Sequence, residues 1–199
     1  SPVEEEYEAD VRELEINLHS NEKDNKKVVL YGSSTFKDWA NANKDLSINN
    51  LLNLGFGGST LVSCRTYFNR IVLPYNPDTI VFYAGDNDIG SGTSADELLN
   101  EFLLFSSEVA EKIPHTRCFF ISIKPSVFRS EYLDIILDFN KKVKNSIDHL
   151  NQWKYIDLCT PMLETGYEKF YGEDPLHMNI LGYSLLSKLI RDQLDVFIN

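Results

Sequence analysis

The sequence predicts a three-layer α/β/α sandwich around a five-stranded parallel sheet, a flavodoxin-like arrangement. Two observations support this prediction. Short runs rich in Val, Ile, Leu, Phe and Tyr alternate with longer stretches of helical period, which is the pattern of successive βαβ units. Several of these runs are almost continuously apolar, as strands buried on both faces of a parallel sheet are. The chain has 199 residues, of which 43% are hydrophobic, enough for one domain with its own core.

The five strands are predicted from their composition and their flanking residues. The first (27–31), third (79–84) and fourth (117–123) contain mainly Val, Ile, Leu, Phe and Tyr. The second (48–54) includes asparagines, and the fifth (155–158) is short. Apolar runs of about four to eight residues between glycines and polar residues are typical of strands.

Six helices are predicted around these strands, at residues 4–19, 35–44, 59–70, 95–113, 130–150 and 178–198. In the last two, apolar residues recur every three or four positions and form one stripe that faces a sheet. Ser94 or Asp96 is expected to cap the fourth helix. No repeat or linker divides the chain, so residues 1–199 are predicted to form a single domain. Residues 1–20 are predicted to be a helical segment that packs on it.

Composition excludes several classes of function. Nineteen Lys and Arg residues against 30 Asp and Glu residues give a net charge of −11, which argues against binding to nucleic acid or anionic membranes. Cys64, Cys118 and Cys159 form no CxxC pair, so neither a disulfide framework nor a cysteine zinc site is expected. Cys118 is predicted to be a buried apolar residue. No run of about 18 apolar residues predicts a transmembrane helix, and no signal peptide is recognised. We therefore expect a soluble protein, with its compartment and oligomeric state left open.

Four polar clusters occupy the places where a parallel α/β sheet gathers its functional groups, the carboxyl ends of the strands and the turn before the last helix. They are Gly32-Ser33-Ser34, Asn53-Leu54-Gly55-Phe56-Gly57-Gly58, Gly85-Asp86-Asn87-Asp88 and Asp174-Pro175-Leu176-His177. Each has a structural interpretation by itself: helix caps, a tight glycine turn, an Asx-turn and a local Asp–His hydrogen bond. A phosphate-binding loop is not supported, because no Gly-Lys-Ser/Thr follows the glycines.

Taken together, the clusters supply the parts needed for nucleophilic acyl transfer. These parts are a hydroxyl nucleophile, a base, a carboxylate that orients the base, and hydrogen-bond donors for the oxyanion. An Asp three residues before a His can hold one imidazole nitrogen and leave the other free. The remaining histidines, His19, His115 and His149, are expected at the surface, away from these clusters.

The four clusters resemble, in order, the conserved blocks of the SGNH hydrolases, also called GDSL-type esterases and lipases. Gly32-Ser33-Ser34 is similar to the Gly-Asp-Ser block, and Asn53-x-Gly55-x-x-Gly58 to the glycine block. Gly85-Asp86-Asn87-Asp88 is similar to the G-x-N-D block, and Asp174-x-x-His177 to the D-x-x-H block. The resemblance extends from about residue 28 to about residue 186. The stretch Ser122–Ser126 also resembles a feature of a bacterial subset with a Gly-Ser-Ser nucleophile block.

This resemblance implies a role for each matched residue. Ser34 would be the nucleophile, His177 the base and then the acid, and Asp174 the residue that orients it. The oxyanion hole would consist of the Ser34 N–H, the Gly58 N–H and the Asn87 side-chain amide. Ser33 stands where the family more often has Asp, a departure that leaves the chemistry unchanged. No cofactor and no metal is implied.

The sequence thus predicts a serine esterase that hydrolyses small or medium acyl esters through an acyl-enzyme intermediate. Carbohydrate O-acetyl esters, short-chain lipid esters, lysophospholipids and thioesters are all candidate substrates. Lys124 and Arg129, which follow the fourth strand, are candidates for contact with the substrate; the alternative is that they are solvent-exposed charges of a loop. The alternative is a non-catalytic module that binds a ligand on a flavodoxin-like scaffold, because a fold does not prove an activity.

Overall fold

A computed structural model of the chain describes the backbone of residues 2–20 and 28–198, and the side chains of residues 7–16 and 28–194. It confirms the predicted fold class. Five parallel strands form one sheet in the order β2-β1-β3-β4-β5, with helices on both sides. The strands are β1 (Val28–Gly32), β2 (Leu51–Gly55), β3 (Thr79–Tyr83), β4 (Arg117–Ile121) and β5 (Trp153–Ile156). Lys27, the first residue of the first predicted strand, lies outside the described residues.

The described part of the chain contains nine α-helices. They are α1 (Pro2–Ser20), α2 (Ser34–Lys37), α3 (Ala42–Leu46), α4 (Leu61–Ile71), α5 (Asp86–Gly90), α6 (Ala95–Lys112), α7 (Leu133–Ile147), α8 (Cys159–Glu164) and α9 (Ile180–Ile198). Short 3-10 helices occur at Leu73–Tyr75, Ser130–Tyr132 and Tyr167–Phe170. None of the helices described has the length and apolar character required to cross a lipid bilayer.

An aromatic cluster joins the sheet to helix α6. Phe105 lies with its ring centroid 4.8 Å from that of Phe82 on β3, and Phe102 lies 5.0 Å from Trp153 on β5. Rings at these separations add to the free energy already gained by burying their large apolar area. Cys118 on β4 is fully buried, as predicted.

Local hydrogen bonds move three element boundaries away from the predicted positions. The predicted helix 35–44 is two short helices, α2 and α3. Strand β2 starts at Leu51 and not at residue 48, because Ser47 ends α3 in the left-handed conformation (φ 55°) and the Ile48 N–H bonds back to Asn43. The fifth strand is Trp153–Ile156, since Asp157 already accepts a hydrogen bond from the Thr160 N–H at the start of α8.

Both caps of the central helices are explained by hydroxyl side chains. Ser94 caps α6 by accepting the Glu97 N–H, as predicted. Helix α4 is capped by Thr60, which exchanges hydrogen bonds with Ser63 in a capping box. Ser59 is buried in the loop before this helix, and its carbonyl oxygen accepts a hydrogen bond from the Asn87 side chain after β3.

The register of the sheet brings three strand ends to one place. Gly32 at the end of β1 pairs with Gly55 of β2 on one side and with Tyr83 of β3 on the other. Helix α1 packs beside this edge, where the Tyr7 hydroxyl donates to the carbonyl oxygen of Gly58 at 2.8 Å. The segments that follow β1, β2 and β3 are consequently neighbours in space.

Candidate active site

The first strand ends in a turn that positions Ser34 as the first residue of helix α2. Gly32 has φ +145°, and a Cβ atom there would lie 1.8 Å from the Tyr83 carbonyl oxygen, so the crossing with β3 requires glycine. The Ser33 N–H donates to that same carbonyl at 3.1 Å. The side chain of Ser33 is buried, whereas that of Ser34 is partly exposed. The turn therefore presents the second serine and encloses the first.

A chain of hydrogen bonds runs from Ser34 to a carboxylate on the loop before α9. The Oγ of Ser34 lies 3.2 Å from Nε2 of His177, and Nδ1 of His177 lies 2.5 Å from Oδ2 of Asp174. A backbone hydrogen bond from the Phe128 N–H to the Pro175 carbonyl, at 3.1 Å, holds this loop against the segment that follows β4. The three polar residues that the sequence singled out are thus within contact distance, in the order hydroxyl, imidazole, carboxylate.

Asp174 is held ionised by its own loop. Its Oδ1 accepts the backbone N–H groups of Leu176 at 2.9 Å and of His177 at 3.1 Å. These two backbone donors, followed by the imidazole, lower the pKa of Asp174 to about 2. Hydrogen bonds to the charged form favour it in this way. An ionised carboxylate at Nδ1 fixes the tautomer in which Nδ1 carries the proton and Nε2 can accept one from Ser34.

Backbone and amide donors occur in the segments that follow β1, β2 and β3, at the same edge of the sheet as Ser34. Gly58 has φ +69°, a conformation that favours glycine, and Asn87 donates from Nδ2 to the Ser59 carbonyl at 3.0 Å. Within the described residues, no protein acceptor takes the backbone N–H of Ser34 or of Gly58. The second Nδ2 hydrogen of Asn87 is likewise not used. The site therefore offers three neutral donors that do not titrate.

Asp88, the last residue of the third cluster, ties the glycine loop to β3. Its two carboxylate oxygens accept the Leu61 N–H, at 2.9 and 3.1 Å, at the start of α4. Burial is the main cause that raises the pKa of Asp88 to about 6, and the nearby charge of Asp86 raises it further. The backbone hydrogen bond from Leu61 acts in the opposite direction and lowers it. Asp88 is thus a structural anchor for the loop that carries Gly58.

Lys124 lies inside the protein and not at the mouth of the site. Its side chain is 2% exposed, and its Nζ contacts Asp86 Oδ2 at 3.2 Å and Thr35 Oγ1 at 3.3 Å. The ammonium also lies over the ring of Tyr83, 5.3 Å from its centroid. This position leaves Lys124 no surface for the substrate contact predicted from the sequence. Its ammonium instead connects Thr35, the residue after Ser34, with Asp86, the residue before Asn87.

Arg129 is partly exposed, and its guanidinium reaches the candidate oxyanion hole. Nη2 donates to Asn87 Oδ1 at 3.0 Å. Neither this contact nor the Lys124–Asp86 pair could be predicted from the sequence, because both join residues about 40 positions apart. The signal available was only that a Lys and an Arg follow the fourth strand, at the edge of the sheet where the polar clusters lie.

A groove of about 510 Å³ lies next to the site, and neither Ser34 nor His177 is among its lining residues. Asp38 connects the two, because it lines the groove and its Oδ2 lies 3.7 Å from Nε2 of His177. The lining is mixed, with polar residues beside Trp39, Ala40, Ile180 and Tyr183, and comes from the segment after α2, from α3 and from one face of α9. The polar lining residues are Asp38, Asn41, Asp45, Ser184, Ser187 and Arg191. The sequence did not single out Asp38, which has no distinctive neighbours in the chain.

The other polar residues considered from the sequence lie elsewhere. His115 and His149 are exposed and outside the site, while the side chain of His19 lies outside the described residues. The described part of the chain contains no group of three or more His, Cys, Asp or Glu side chains arranged to hold a metal ion. The chemistry available at this site is therefore that of a hydroxyl, an imidazole, a carboxylate and neutral N–H donors.

Comparison with known proteins gives a family match and several similar folds. The model of the GDSL-like lipase/acylhydrolase family matches residues 29–185. No curated protein matches the chain.

Among solved structures, a Streptococcus pneumoniae protein whose name carries the term platelet activating factor has a TM-score of 0.82 at 22% identity, over 96% of this chain and 93% of that one. A GDSL-like lipase from Bacteroides thetaiotaomicron has a TM-score of 0.77 at 18% identity, over 93% and 97%. A carbohydrate esterase of family 3 from Talaromyces cellulolyticus has a TM-score of 0.71 at 16% identity, over 87% and 98%. At these identities the likeness is one of fold.

Proposed function

Because the chain belongs to the GDSL-like lipase/acylhydrolase family and is a carboxylic ester hydrolase, we propose that it acts through Ser34, His177 and Asp174. The observation that carries the proposal is the continuous contact of Ser34 Oγ with His177 Nε2 and of His177 Nδ1 with Asp174 Oδ2. A serine hydroxyl is a weak nucleophile near neutral pH and needs a base within hydrogen-bond reach. Family membership favours this enzyme over a non-catalytic binding module.

The reaction proceeds in two halves. Ser34 Oγ attacks the ester carbonyl carbon while its proton passes to Nε2 of His177. The negative oxygen that results accepts hydrogen bonds from the N–H groups of Ser34 and Gly58 and from Nδ2 of Asn87. His177 then returns the proton to the leaving alcohol oxygen, and the acyl group stays on Ser34. In the second half, a water oxygen attacks the acyl carbon while its proton passes to Nε2 of His177. The bond between the acyl carbon and Ser34 Oγ then breaks as His177 returns the proton to Oγ, which releases the carboxylic acid and restores the enzyme.

We infer that the alcohol part of the substrate lies on the side of Asp38. His177 must give its proton to the leaving oxygen, so the alcohol departs next to Nε2. Asp38, whose Oδ2 lies 3.7 Å from that atom, is also a lining residue of the groove. Its carboxylate, amide, hydroxyl and guanidinium groups suit an alcohol with further hydroxyl groups. A carbohydrate O-acetyl ester fits this description, and the Talaromyces neighbour is named a carbohydrate esterase.

A short-chain lipid ester is the second candidate, and a separate observation favours it. Val127 and Phe128 are 43% and 56% exposed beside the His177 loop, and Ile180 at the start of α9 is 84% exposed. Exposed apolar side chains around a reactive serine are suited to an acyl chain.

Fluorophosphonate labelling and mutagenesis test the mechanism. Wild-type protein is expected to be labelled at Ser34, and Ser34→Ala to lose both labelling and nearly all turnover while remaining folded. Ser33→Ala is the matched control, since it removes the neighbouring hydroxyl and keeps the backbone N–H that bonds to Tyr83. Activity retained in Ser34→Ala and lost in Ser33→Ala would overturn the assignment.

Substrate class is decided by comparing acetylated sugars with p-nitrophenyl and glycerol esters of rising chain length. We expect acetyl esters of sugars to have the highest kcat/KM, and Asp38→Ala to lower kcat/KM for them more than for p-nitrophenyl acetate. A preference for longer acyl chains, unaffected by Asp38→Ala, would favour the lipid ester.

A further inference from the structure

The side-chain amide of Asn87 is held at both ends. Its Nδ2 donates to the Ser59 carbonyl at 3.0 Å, and its Oδ1 accepts from Arg129 Nη2 at 3.0 Å. An amide has two donor hydrogens, so one remains for a substrate oxygen. Because both Nδ2 and Oδ1 are hydrogen-bonded, the plane of the amide is fixed, and the remaining Nδ2 hydrogen points in a single direction.

Arginine is suited to this contact because it can only donate. The amide oxygen and nitrogen have almost the same shape, so an asparagine can turn over and present its oxygen where its nitrogen stood. A flipped Asn87 would direct its oxygen at the Ser59 carbonyl and at the developing oxyanion, and would direct its NH2 at a guanidinium that accepts no hydrogen bond. Arg129 thus disfavours the flipped orientation of Asn87, because its guanidinium only donates hydrogen bonds.

Gly90 provides the space for the guanidinium. A Cβ atom at Gly90, the last residue of α5, would lie 1.9 Å from Arg129 Nη1 and 2.3 Å from its Cζ. The backbone of Gly90 does not have positive φ, so its conformation does not require glycine. Arg129 is further seated by its own backbone N–H, which donates to Ser126 Oγ at 3.1 Å, and by the Phe128 ring, 5.1 Å from Cζ.

We propose that Arg129 is a positioning residue that fixes the Asn87 amide with its NH2 towards the oxyanion, and that Gly90 exists to admit its guanidinium. This inference rests on the proposed function, in which Asn87 is an oxyanion donor. It assigns to Arg129 a role towards the reaction itself, where the sequence alone suggested a contact with the substrate. The two roles differ in what they change: positioning acts on kcat for every ester, whereas a substrate contact acts on KM for particular ones.

The test compares Arg129→Met, Arg129→Lys and Gly90→Ala on p-nitrophenyl acetate and on an acetylated sugar. Gly90→Ala keeps the positive charge but displaces the guanidinium. Since loss of a whole oxyanion donor costs about 10²–10³ in kcat, we expect Arg129→Met and Gly90→Ala to lower kcat by about 10–10² on both substrates, with KM nearly unchanged. Arg129→Lys, which retains a donor, should lose less. Arg12→Met, an exposed arginine on α1, is the control for removing one charge.

Combination with Asn87→Ala separates the possible explanations. In the Asn87→Ala background, Arg129→Met and Gly90→Ala are expected to add less than about twofold, because there is no amide left to position. Thermal unfolding and fluorophosphonate labelling of Ser34 confirm that each variant is folded with its nucleophile active.

Three results would overturn the inference. The first is an unchanged kcat in Arg129→Met when Asn87→Ala is impaired, which leaves the proposed function standing. The second is a raised KM on one substrate only, which indicates a substrate contact. The third is additive loss in the double variants. An unimpaired Asn87→Ala enzyme would contradict the oxyanion role of Asn87 and so also overturn the inference, whereas the assignment of Ser34 as nucleophile is decided separately by Ser34→Ala.

Discussion

Replacing Lys124 with methionine removes the cation from a buried ion pair beneath the active site. Its Nζ lies 3.2 Å from Asp86 Oδ2, and the two side chains are 2% and 5% exposed. With an effective dielectric constant of about 20, unit charges at this distance attract by about 5 kcal/mol. Removing one partner of a buried pair costs about 3–5 kcal/mol, because the other charge stays buried alone. We expect Lys124→Met to lower the free energy of unfolding by that amount.

Urea unfolding followed by tryptophan fluorescence measures this loss, which should also lower Tm by about 6–20 °C in a domain of this size. Lys142→Met is the matched control, since its ion pairs with Asp138 and Asp96 lie at the surface and should contribute little to the free energy of unfolding. The double variant Lys124→Met/Asp86→Asn removes both charges. Its loss should be smaller than the sum of the two single losses by at least about 2 kcal/mol. Single effects that add, or a Lys124→Met protein as stable as Lys142→Met, would refute the reasoning.

Two further predictions concern the glycine loop. In the native state the pKa of Asp88 is raised from 3.8 to about 6. Between these two pH values the native protein therefore binds a proton on Asp88 that the unfolded chain does not bind. The stability contributed by this proton is lost as the pH rises from 3.8 to 6. Urea unfolding at several pH values should show the wild type losing up to about 3 kcal/mol relative to Asp88→Asn between pH 3.8 and 6; a gain would contradict the shift. Gly58→Ala should cost about 1–2 kcal/mol for placing alanine at φ +69°, since its Cβ would meet only Tyr7 Cε1 at 4.0 Å. Calorimetry measures this cost, and a loss above 4 kcal/mol would indicate a clash that the structure does not contain.

The arrangement of the sheet could be predicted from sequence because burial on both faces leaves a plain apolar run. Strands β1, β3 and β4 were located in this way to within about two residues. The predicted helix 35–44 was wrong because it is broken at residues 38–41 by local hydrogen bonds, from the Trp39 N–H to the Phe36 carbonyl and from the Ala42 N–H to the Trp39 carbonyl, that no period reveals. The short helices α5 and α8 were not predicted, since helices of five or six residues have no apolar stripe to recognise.

The residues of the candidate site could be named because they stand at strand ends, in clusters of local sequence. What could not be predicted is which charges support them. Lys124 and Arg129 look alike in the sequence, as basic residues after the fourth strand. The difference in their surroundings comes from packing: one ammonium is enclosed with Asp86, and one guanidinium lies against the small surface of Gly90. Contacts of this kind depend on tertiary structure, so no periodicity or residue spacing in the sequence predicts them.

The contact between Ser34 and His177 joins residues 143 positions apart, the first from the turn after β1 and the second from the loop that leads into α9. In the proposed mechanism, a ribosome-bound chain with its first four strands paired still lacks the base that Ser34 requires. Hydrolysis through Ser34 and His177 would then begin only when the Asp174–His177 loop has been translated, has left the exit tunnel and has docked on the sheet. The time at which esterase activity appears in a translation reaction would therefore report when this last loop docks, and it can be measured without purifying the protein.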